Sequence, residues 1–279
     1  VCLRIFDSST AQLELDKLIT DERTLQSVRN LAARPFGLIL VTGPTDSGKS
    51  TTLYSILAER NDPGVNIMTA EDPIKYSLSG INQIQVIQEK GMDFAQIVRA
   101  FLRQDPDVIL VGETRDQATA TTATEAALTG CLVLTTLHTN DASIAIAGLE
   151  EMGVEPFWFS VALLGVLAQR LMRRVCSECK EAYHPTTAEL ARFGLSCPRD
   201  VVFYRANTLT AEEITEAKYN RTLCPNCRGS GYQGRVGVYE VLQISDRLQT
   251  LISQRATTKK IKEIAIEEGI LRFFRPFEN

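Results

Sequence analysis

The chain has 279 residues, of which 44% are hydrophobic and 23% are charged, with a formal net charge of −4. This composition supplies enough apolar material for one or two buried cores and excludes a disordered chain. The acidic balance argues against a DNA-tracking surface, so we expect no nucleic-acid partner.

The N-terminal part of the chain alternates between strand-like and helix-like segments. It begins in the strand-like run "VCLRIFD", after which "DERTLQSVRNLAARPFG" has helical spacing. Four continuous apolar runs follow, each ending in polar residues: "GLILVT", "VNIMTAED", "DVILVGE" and "CLVLTTLH". The alternation predicts an α/β core over residues 21–174. Its sheet should be mostly parallel and covered on both faces, with ligands at the carboxyl ends of the strands.

The pattern changes near residue 175, where polar segments and cysteine pairs begin. We predict a separate subdomain over residues 175–235, followed by a helical C-terminal segment, 236–279, that is apparently truncated or divergent. No stretch approaches the roughly 18 apolar residues that a membrane span needs. We therefore expect a cytoplasmic protein with no direct membrane span.

Two C-x-x-C pairs lie in the predicted subdomain. Each pair, Cys176 with Cys179 and Cys224 with Cys227, places two thiolates on a tight turn. This spacing is typical of a tetrahedral zinc site, and four cysteines would close the site, so the predicted Zn²⁺ is structural. Four free thiols are the alternative. The remaining cysteines are interpreted as ordinary small residues: Cys2, Cys131 and Cys197.

The stretch after the first apolar run fits the Walker A pattern of phosphate-binding loops. Backbone amides of such a loop cradle phosphates, while Lys49 would neutralise the β and γ charges and Ser50 would bind Mg²⁺. A glycine-rich turn that merely contains a lysine is disfavoured by the flanking strand and helix. The predicted nucleotide site consists of Gly43, Pro44, Thr45, Asp46, Ser47, Gly48, Lys49, Ser50 and Thr51.

Asp46 places a negative charge inside this loop. Aspartate visits left-handed backbone conformations more readily than most residues, so its charge is the expected difficulty. At about 4 Å from a phosphate, like charges cost about 1 kcal/mol in water and about 4 kcal/mol at an effective dielectric constant of 20. We predict that a partly solvated Asp46 weakens ATP binding without altering the reaction.

Five motifs occur in the order found in one family of ATPases: "GPTDSGKSTTLY", "TAEDPIKY", "RAFLRQDPDVILVGETRD", "TGCLVLTTLHTND" and "LLGVLAQRLMRRVCSECK". Together they resemble the hexameric secretion ATPases of type II secretion and type IV pili, most closely those that assemble pili. The resemblance covers about Val1 to Glu268. It implies a RecA-like P-loop NTPase fold, with residues 1–20 as the remnant of a domain that closes over the nucleotide.

The same resemblance implies an activity and partners. It implies an ATP-hydrolysing motor with ATP, Mg²⁺ and structural Zn²⁺, assembled as a homo-hexamer. Its expected partner is a pilus platform protein of the inner membrane, at the cytoplasmic face. The family's assembly and secretion ATPases carry the four-cysteine element, whereas the retraction ATPases generally do not.

The resemblance also assigns roles to single residues. Glu113 matches the Walker B glutamate, which positions the attacking water and helps to organise Mg²⁺ beside Ser50. Glu71 and Asp72 fall in the acidic box, and His138 ends the histidine box, two elements thought to complete the γ-phosphate site. Family arginines that meet phosphates, often at a subunit boundary, correspond to Arg99, Arg103 and Arg115.

Each of these assignments has a structural alternative. Glu71 and Asp72 would simply cap a strand end, and His138 would be a satisfied histidine at another strand end. Arg99 and Arg103, one turn apart on a helix, would form a solvated basic stripe. Arg115 would instead pair with Asp116 at the start of the next helix.

Four positions depart from the family pattern. Asp46 stands where the family usually has glycine, and Lys75 where it usually has glutamate. Cys131 stands where the histidine box usually has the histidine of a Thr-Gly-His sequence. Gly148 stands where an arginine is common. Two hypotheses therefore stay open: an ATP-hydrolysing motor, and a degenerate paralogue that binds nucleotide weakly and regulates or occupies the complex. A DNA-translocating ring of the same fold is disfavoured by the acidic balance.

Overall fold

The computed structural model describes residues 14–192, 202–220 and 222–269. These residues divide into two compact units, one formed by residues 14–170 with 237–269 and the other by those between 171 and 236. The predicted strand and domain remnant at the start of the chain lie mostly outside the described residues. No helix in the described ranges is both long enough and apolar enough to cross a membrane.

The described strands form a large sheet and a small one. The strands are β1 (Gly37–Thr42), β2 (Ile67–Glu71), β3 (Asn82–Gln85), β4 (Val108–Val111), β5 (Leu132–Leu137), β6 (Leu163–Val175), β7 (Glu181–Tyr183), β8 (Phe203–Arg205) and β9 (Tyr232–Gln243). Among the described residues, the large sheet has the order β3-β2-β4-β5-β1-β6-β9, and β7 pairs with β8 in the small sheet. The pairs β1–β5, β1–β6, β2–β3, β2–β4 and β4–β5 are all parallel, and β7–β8 is antiparallel. The predicted α/β class with a mostly parallel sheet is therefore confirmed.

Helices occupy most of the connections between strands. They are α1 (Leu15–Leu18), α2 (Glu22–Ala32), α3 (Lys49–Arg60), α4 (Phe94–Phe101), α5 (Gln117–Leu128), α6 (Ala142–Glu151), α7 (Pro156–Ala162), α8 (Thr187–Arg192), α9 (Ala211–Tyr219), α10 (Asp246–Ser253) and α11 (Thr258–Glu267). Aspartate side chains cap the first turns of α2, α4, α5 and α6, where they accept backbone N–H bonds. These caps satisfy donors that a helix start otherwise leaves unpaired.

The central strands are buried on both faces, which explains why they read as continuous apolar runs. Every residue of β1, β4 and β5 is buried. Ile39 and Val41 of β1 point into a core that also contains Leu53 and Ile56 of α3. Because side chains alternate along a strand, the intervening residues of β1 face the opposite side of the sheet.

The parallel arrangement brings four chain segments to one edge of the sheet. The phosphate loop follows β1, and Glu71 ends β2. Glu113 lies two residues after β4, and His138 directly follows β5. These four strands are neighbours in the order β2-β4-β5-β1. Their carboxyl ends therefore lie side by side, which is where open α/β sheets bind ligands.

The predicted C-terminal segment, 236–279, is only partly helical in the described residues. β9 covers its first residues and adds a strand to the large sheet, and α10 and α11 follow. Val241 and Leu242 of β9 are buried, so apolar burial favours a strand here over a helix. The residues after 269 lie outside the described part of the chain.

Candidate functional site

The phosphate loop turns from β1 into α3 through two special glycines. Gly48 adopts φ +88° at the start of α3, a left-handed conformation that glycine tolerates without strain. No side chain caps the first turn of α3. The unpaired N–H groups and positive end of that helix form a site to which phosphate oxygens bind. The loop therefore fits a nucleotide.

Gly43 allows the loop to approach β6 closely. A Cβ atom at Gly43 would lie 2.3 Å from the backbone oxygen of Gln169 and 2.7 Å from Ser47 Oγ, too close for any other residue. The Gln169 side chain donates from Nε2 to the backbone oxygen of Ser47 at 2.7 Å. Gln169 of β6 thus holds the phosphate loop by a hydrogen bond, a role that the sequence did not indicate.

Asp46 adopts a left-handed conformation, with φ +62°, and is exposed to solvent. An exposed carboxylate is solvated, which places its repulsion of a phosphate at the low end of the Coulomb range. Asp46 is therefore solvated, which is the condition under which we expect it to weaken ATP binding without altering the reaction.

A chain of polar contacts runs from the loop lysine to Arg115. Lys49 Nζ donates to the backbone oxygens of Gly43 at 2.7 Å and Pro44 at 3.0 Å, and lies 3.5 Å from His138 Nδ1. His138 Nε2 lies 2.7 Å from one oxygen of Glu113, and Arg115 lies 2.6 Å from the other. With its proton on Nε2, His138 would donate to Glu113 and accept from Lys49. The fold therefore brings together four predicted functional residues from three segments that are far apart in sequence.

These contacts set the charge states of the site. Burial raises the pKa of Glu113, but the hydrogen bond and positive charge of Arg115, together with His138, outweigh it and lower the pKa. The hydrogen bond to Glu113 raises the pKa of Arg115, and Asp72 adds to this effect. Glu113 is therefore held as a carboxylate. Arg115 pairs with Glu113 here, whereas Asp116 caps α5.

Glu71 lies at the predicted edge but is buried in a hydrogen-bond network, with only 5% of its surface exposed. Its carboxylate accepts from Thr69 Oγ1 at 2.7 Å, from Gln83 Nε2 at 2.9 Å and from the hydroxyl of Tyr54. Burial is the main cause of the raised pKa of Tyr54, and the hydrogen bond to Glu71 raises this pKa further. A catalytic role for Glu71 stays a prediction, and these contacts favour a structural one.

A substitution of Glu71 separates the two roles. Glu71→Gln replaces one acceptor oxygen with an N–H₂ group that faces hydroxyl and amide donors. We expect it to destabilise the chain by about 1–3 kcal/mol, the cost of an unsatisfied buried polar group. Denaturant unfolding measures this loss, and ATP turnover should fall much less than in Glu113→Gln. Equal losses of turnover in the two variants would instead assign Glu71 to the reaction.

Arg99 lies in the last turn of α4 and Arg103 two residues after its end, and both are exposed. Neither side chain forms a hydrogen bond or an ion pair with any residue in the described ranges. Ile97, Val98 and Phe101 form the buried face of the same helix. The structure therefore does not bring the two arginines to the loop within one chain, and their phosphate-binding role stays a prediction.

The two predicted Mg²⁺ ligands are both engaged by nitrogen donors. Ser50 Oγ accepts from Lys75 Nζ at 2.7 Å, a contact that the sequence did not indicate. Both oxygens of Glu113 are taken by Arg115 and His138. Mg²⁺ requires open oxygen ligands at about 2.0–2.1 Å. In this arrangement nitrogen donors lie against the Ser50 and Glu113 oxygens that would bind Mg²⁺, so these contacts would have to rearrange when the ion binds.

The predicted zinc ligands form one compact cluster. The Sγ atoms of Cys176, Cys179, Cys224 and Cys227 all lie within 4.8 Å of one another. Cys176 and Cys224 are 3.8 Å apart at sulfur, and Cys179 and Cys227 are 3.4 Å apart. A tetrahedral ion with metal–sulfur bonds of about 2.3 Å places its sulfurs about 3.8 Å apart. The four sulfur atoms therefore fit a tetrahedral metal site in which every coordination position is taken by cysteine.

Backbone groups also support this cluster. Burial raises the pKa of Cys227, but hydrogen bonds from Cys179 and from the N–H groups of Gly231 and Gly229 outweigh it and lower the pKa to about 7. Cys176 N–H donates to the Gly231 oxygen at 2.9 Å. These contacts join the two cysteine turns and favour a thiolate at Cys227.

Comparison with known proteins agrees with the geometry. The family model for type II/IV secretion system protein matches residues 1–276. The type IV pilus assembly ATPase PilB of Thermus thermophilus is 45% identical over 269 residues, which are 96% of this chain and 29% of that protein. The type II secretion system ATPase E of Vibrio cholerae is 43% identical over 279 residues, covering 96% of this chain and 52% of that protein. This chain thus spans about half or less of these relatives.

A solved structure provides a further match. The pilus retraction motor PilT, crystallised with bound ADP, is 28% identical with a TM-score of 0.62. The match covers 96% of this chain and 66% of that one.

Proposed function

Because the chain belongs to the type II/IV secretion system protein family, we propose that it is an ATP-hydrolysing motor subunit that powers type IV pilus assembly or the related type II secretion. The relatives named above include ATPases of both systems. The four-cysteine cluster supports assembly or secretion over pilus retraction, in line with the family resemblance. The motor is proposed to be a homo-hexamer that acts on a platform protein at the cytoplasmic face of the inner membrane.

The polar chain from Lys49 to Arg115 is the observation that carries this proposal. In the reaction, phosphate oxygens replace the Gly43 and Pro44 carbonyls as acceptors of the Lys49 hydrogen bonds. Glu113, held as a carboxylate, orients the attacking water, as phosphoryl transfer requires. His138 contacts both Lys49 and Glu113. We propose that it couples phosphate binding by Lys49 to the orientation of water by Glu113.

The hexamer is supported by the exposed arginines of α4. Arg99 and Arg103 have no polar partner in the described part of the chain. In the proposed ring they meet the nucleotide of a neighbouring subunit, where their charges stabilise the transition state. Structural Zn²⁺ is proposed for the cysteine cluster.

Substitutions of Asp46 test whether the loop works as a motor site. ATP affinity and turnover of the full-length chain are measured beside those of Asp46→Gly. Removal of an exposed charge worth about 1 to 2 kcal/mol should lower the dissociation constant roughly five- to thirtyfold. Because salt screens exposed charges, the gain should shrink at high ionic strength.

Two further variants separate charge from backbone strain. Asp46→Asn removes the charge and retains a residue that tolerates φ +62°, so it should recover most of the gain seen with Gly. Asp46→Ala removes the charge but disfavours this conformation and should recover less. If Asn recovers nothing while Gly restores binding, strain rather than charge weakens the loop. If no variant hydrolyses ATP, the motor gives way to a degenerate paralogue.

A further inference from the structure

Lys75 places a second ammonium group beside the phosphate loop. It lies in the segment after β2, and its Nζ is 2.7 Å from Ser50 Oγ in the first turn of α3. The residue is exposed, so the side chain reaches the loop from the solvent side. Ser50 is the hydroxyl that a bound divalent cation would need.

The contact with Ser50 places this ammonium at the phosphate loop, because Ser50 directly follows Lys49 in the first turn of α3. Burial lowers the pKa of Lys49, and Glu113 opposes this effect. Lys75 lowers the pKa further by charge repulsion, while Asp46 opposes it. The Lys49 ammonium contacts Gly43 and the Lys75 ammonium contacts Ser50, so both lie against the loop to which phosphate oxygens bind.

We propose that Lys75 is a built-in cation of the nucleotide site, which binds the phosphates beside Ser50 and replaces part of the charge that Mg²⁺ supplies. The proposal rests on the proposed function, because it requires a nucleotide in the loop. An ammonium hydrogen-bonded to Ser50 and a divalent cation bound to the same hydroxyl would lie close together. Since the two cations repel each other, they compete for this position.

The proposal makes nucleotide affinity largely independent of Mg²⁺. In the full-length chain, the dissociation constant for ATP should differ by less than about threefold between excess Mg²⁺ and EDTA. In Lys75→Met, ATP binding in EDTA should weaken about tenfold, as expected for the loss of one positive charge at this range. Displacement of a fluorescent ATP analogue measures both constants. Lys75→Gln serves as a second neutral variant.

Metal binding provides an independent readout. Electron paramagnetic resonance of Mn²⁺ reports the free ion during titration of the chain with ATP present. Mn²⁺ should bind about tenfold more tightly to Lys75→Met than to the unsubstituted chain, because the competing charge is gone. Lys90→Met is the matched control. Lys90 is an exposed lysine in the Gln88–Lys90 turn, and its replacement should change neither constant.

The outcomes separate this proposal from the proposed function. If the unsubstituted chain binds ATP and Lys75→Met leaves both the EDTA constant and the Mn²⁺ constant unchanged, Lys75 is not a cation of the site, although the nucleotide site stands. If ATP does not bind to the unsubstituted chain, to either Lys75 variant or to Asp46→Gly, both proposals fail. Weaker binding confined to EDTA, with tighter Mn²⁺, supports the proposal.

Discussion

Glu113→Gln is expected to leave ATP bound and to slow its hydrolysis by about 10²- to 10⁴-fold, the usual contribution of a positioned acid or base. Glutamine has nearly the same shape as glutamate, so the contact with His138 is retained. It lacks the negative charge that, in the proposed reaction, orients the attacking water and accepts its proton. Steady-state phosphate release measures turnover, and equilibrium displacement of a fluorescent ATP analogue measures binding.

Lys49→Ala provides the opposite result. Lys49 is buried and supplies the ammonium group at the centre of the loop, so its removal should abolish measurable nucleotide binding. Glu89→Gln, at an exposed carboxylate in the Gln88–Lys90 turn, should change neither binding nor turnover. Equal loss of ATP binding in Lys49→Ala and Glu113→Gln would show that Glu113 holds the nucleotide rather than the water.

The strands and the phosphate loop were predictable because their signals are local. β1, β4 and β5 are buried throughout and read as unbroken apolar runs. The loop pattern lies between a strand and a helix, as it requires, and α3 begins at Lys49. β3 was missed because it is an edge strand of polar, partly exposed residues, Asn82–Gln85, that carries no apolar pattern.

Contacts between distant segments could not be predicted from local patterns. The hydrogen bond between Lys75 and Ser50 joins residues 25 positions apart, and that between Gln169 and Ser47 joins residues 122 positions apart. Both depend on which strands are neighbours in the sheet. The same holds for Glu71, whose sequence position at a strand end indicates exposure to a ligand. Its burial follows from Tyr54 and Gln83, which reach it from other elements.

The local charge of the site also differs from what the loop pattern implies. The pattern shows one lysine and one unexpected acid, Asp46. The structure adds Lys75 beside Ser50 and Arg115 beside Glu113. Lys75 and Arg115 therefore add two cationic side chains to the Lys49 ammonium that the loop pattern already contains.

The second large effect concerns the cysteine cluster. We expect one zinc ion per chain, and its removal should unfold the unit between residues 171 and 236 while the other unit stays folded. The described residues of this unit bury no aliphatic or aromatic side chain; its buried side chains are those of Cys176 and Cys227. Helix α9 has no buried residue at all. A unit with so small an apolar core needs a metal or a covalent link to be stable.

The size of the effect follows from the chemistry of such sites. Structural zinc contributes apparent binding energies of about 10–16 kcal/mol in small zinc-finger peptides, and this energy is spent on folding. Elemental analysis of freshly prepared, reduced protein should give one zinc per chain. After chelation, or in Cys227→Ala, hydrogen exchange should become fast in β7, β8 and α9 and stay slow in β1, β4 and β5. Cys131→Ala, which removes a buried thiol outside the cluster, should retain both the zinc and the protection. Two results would show that hydrogen bonds alone hold the cluster together. One is protein that contains no metal, and the other is a unit between residues 171 and 236 that stays protected from hydrogen exchange after chelation.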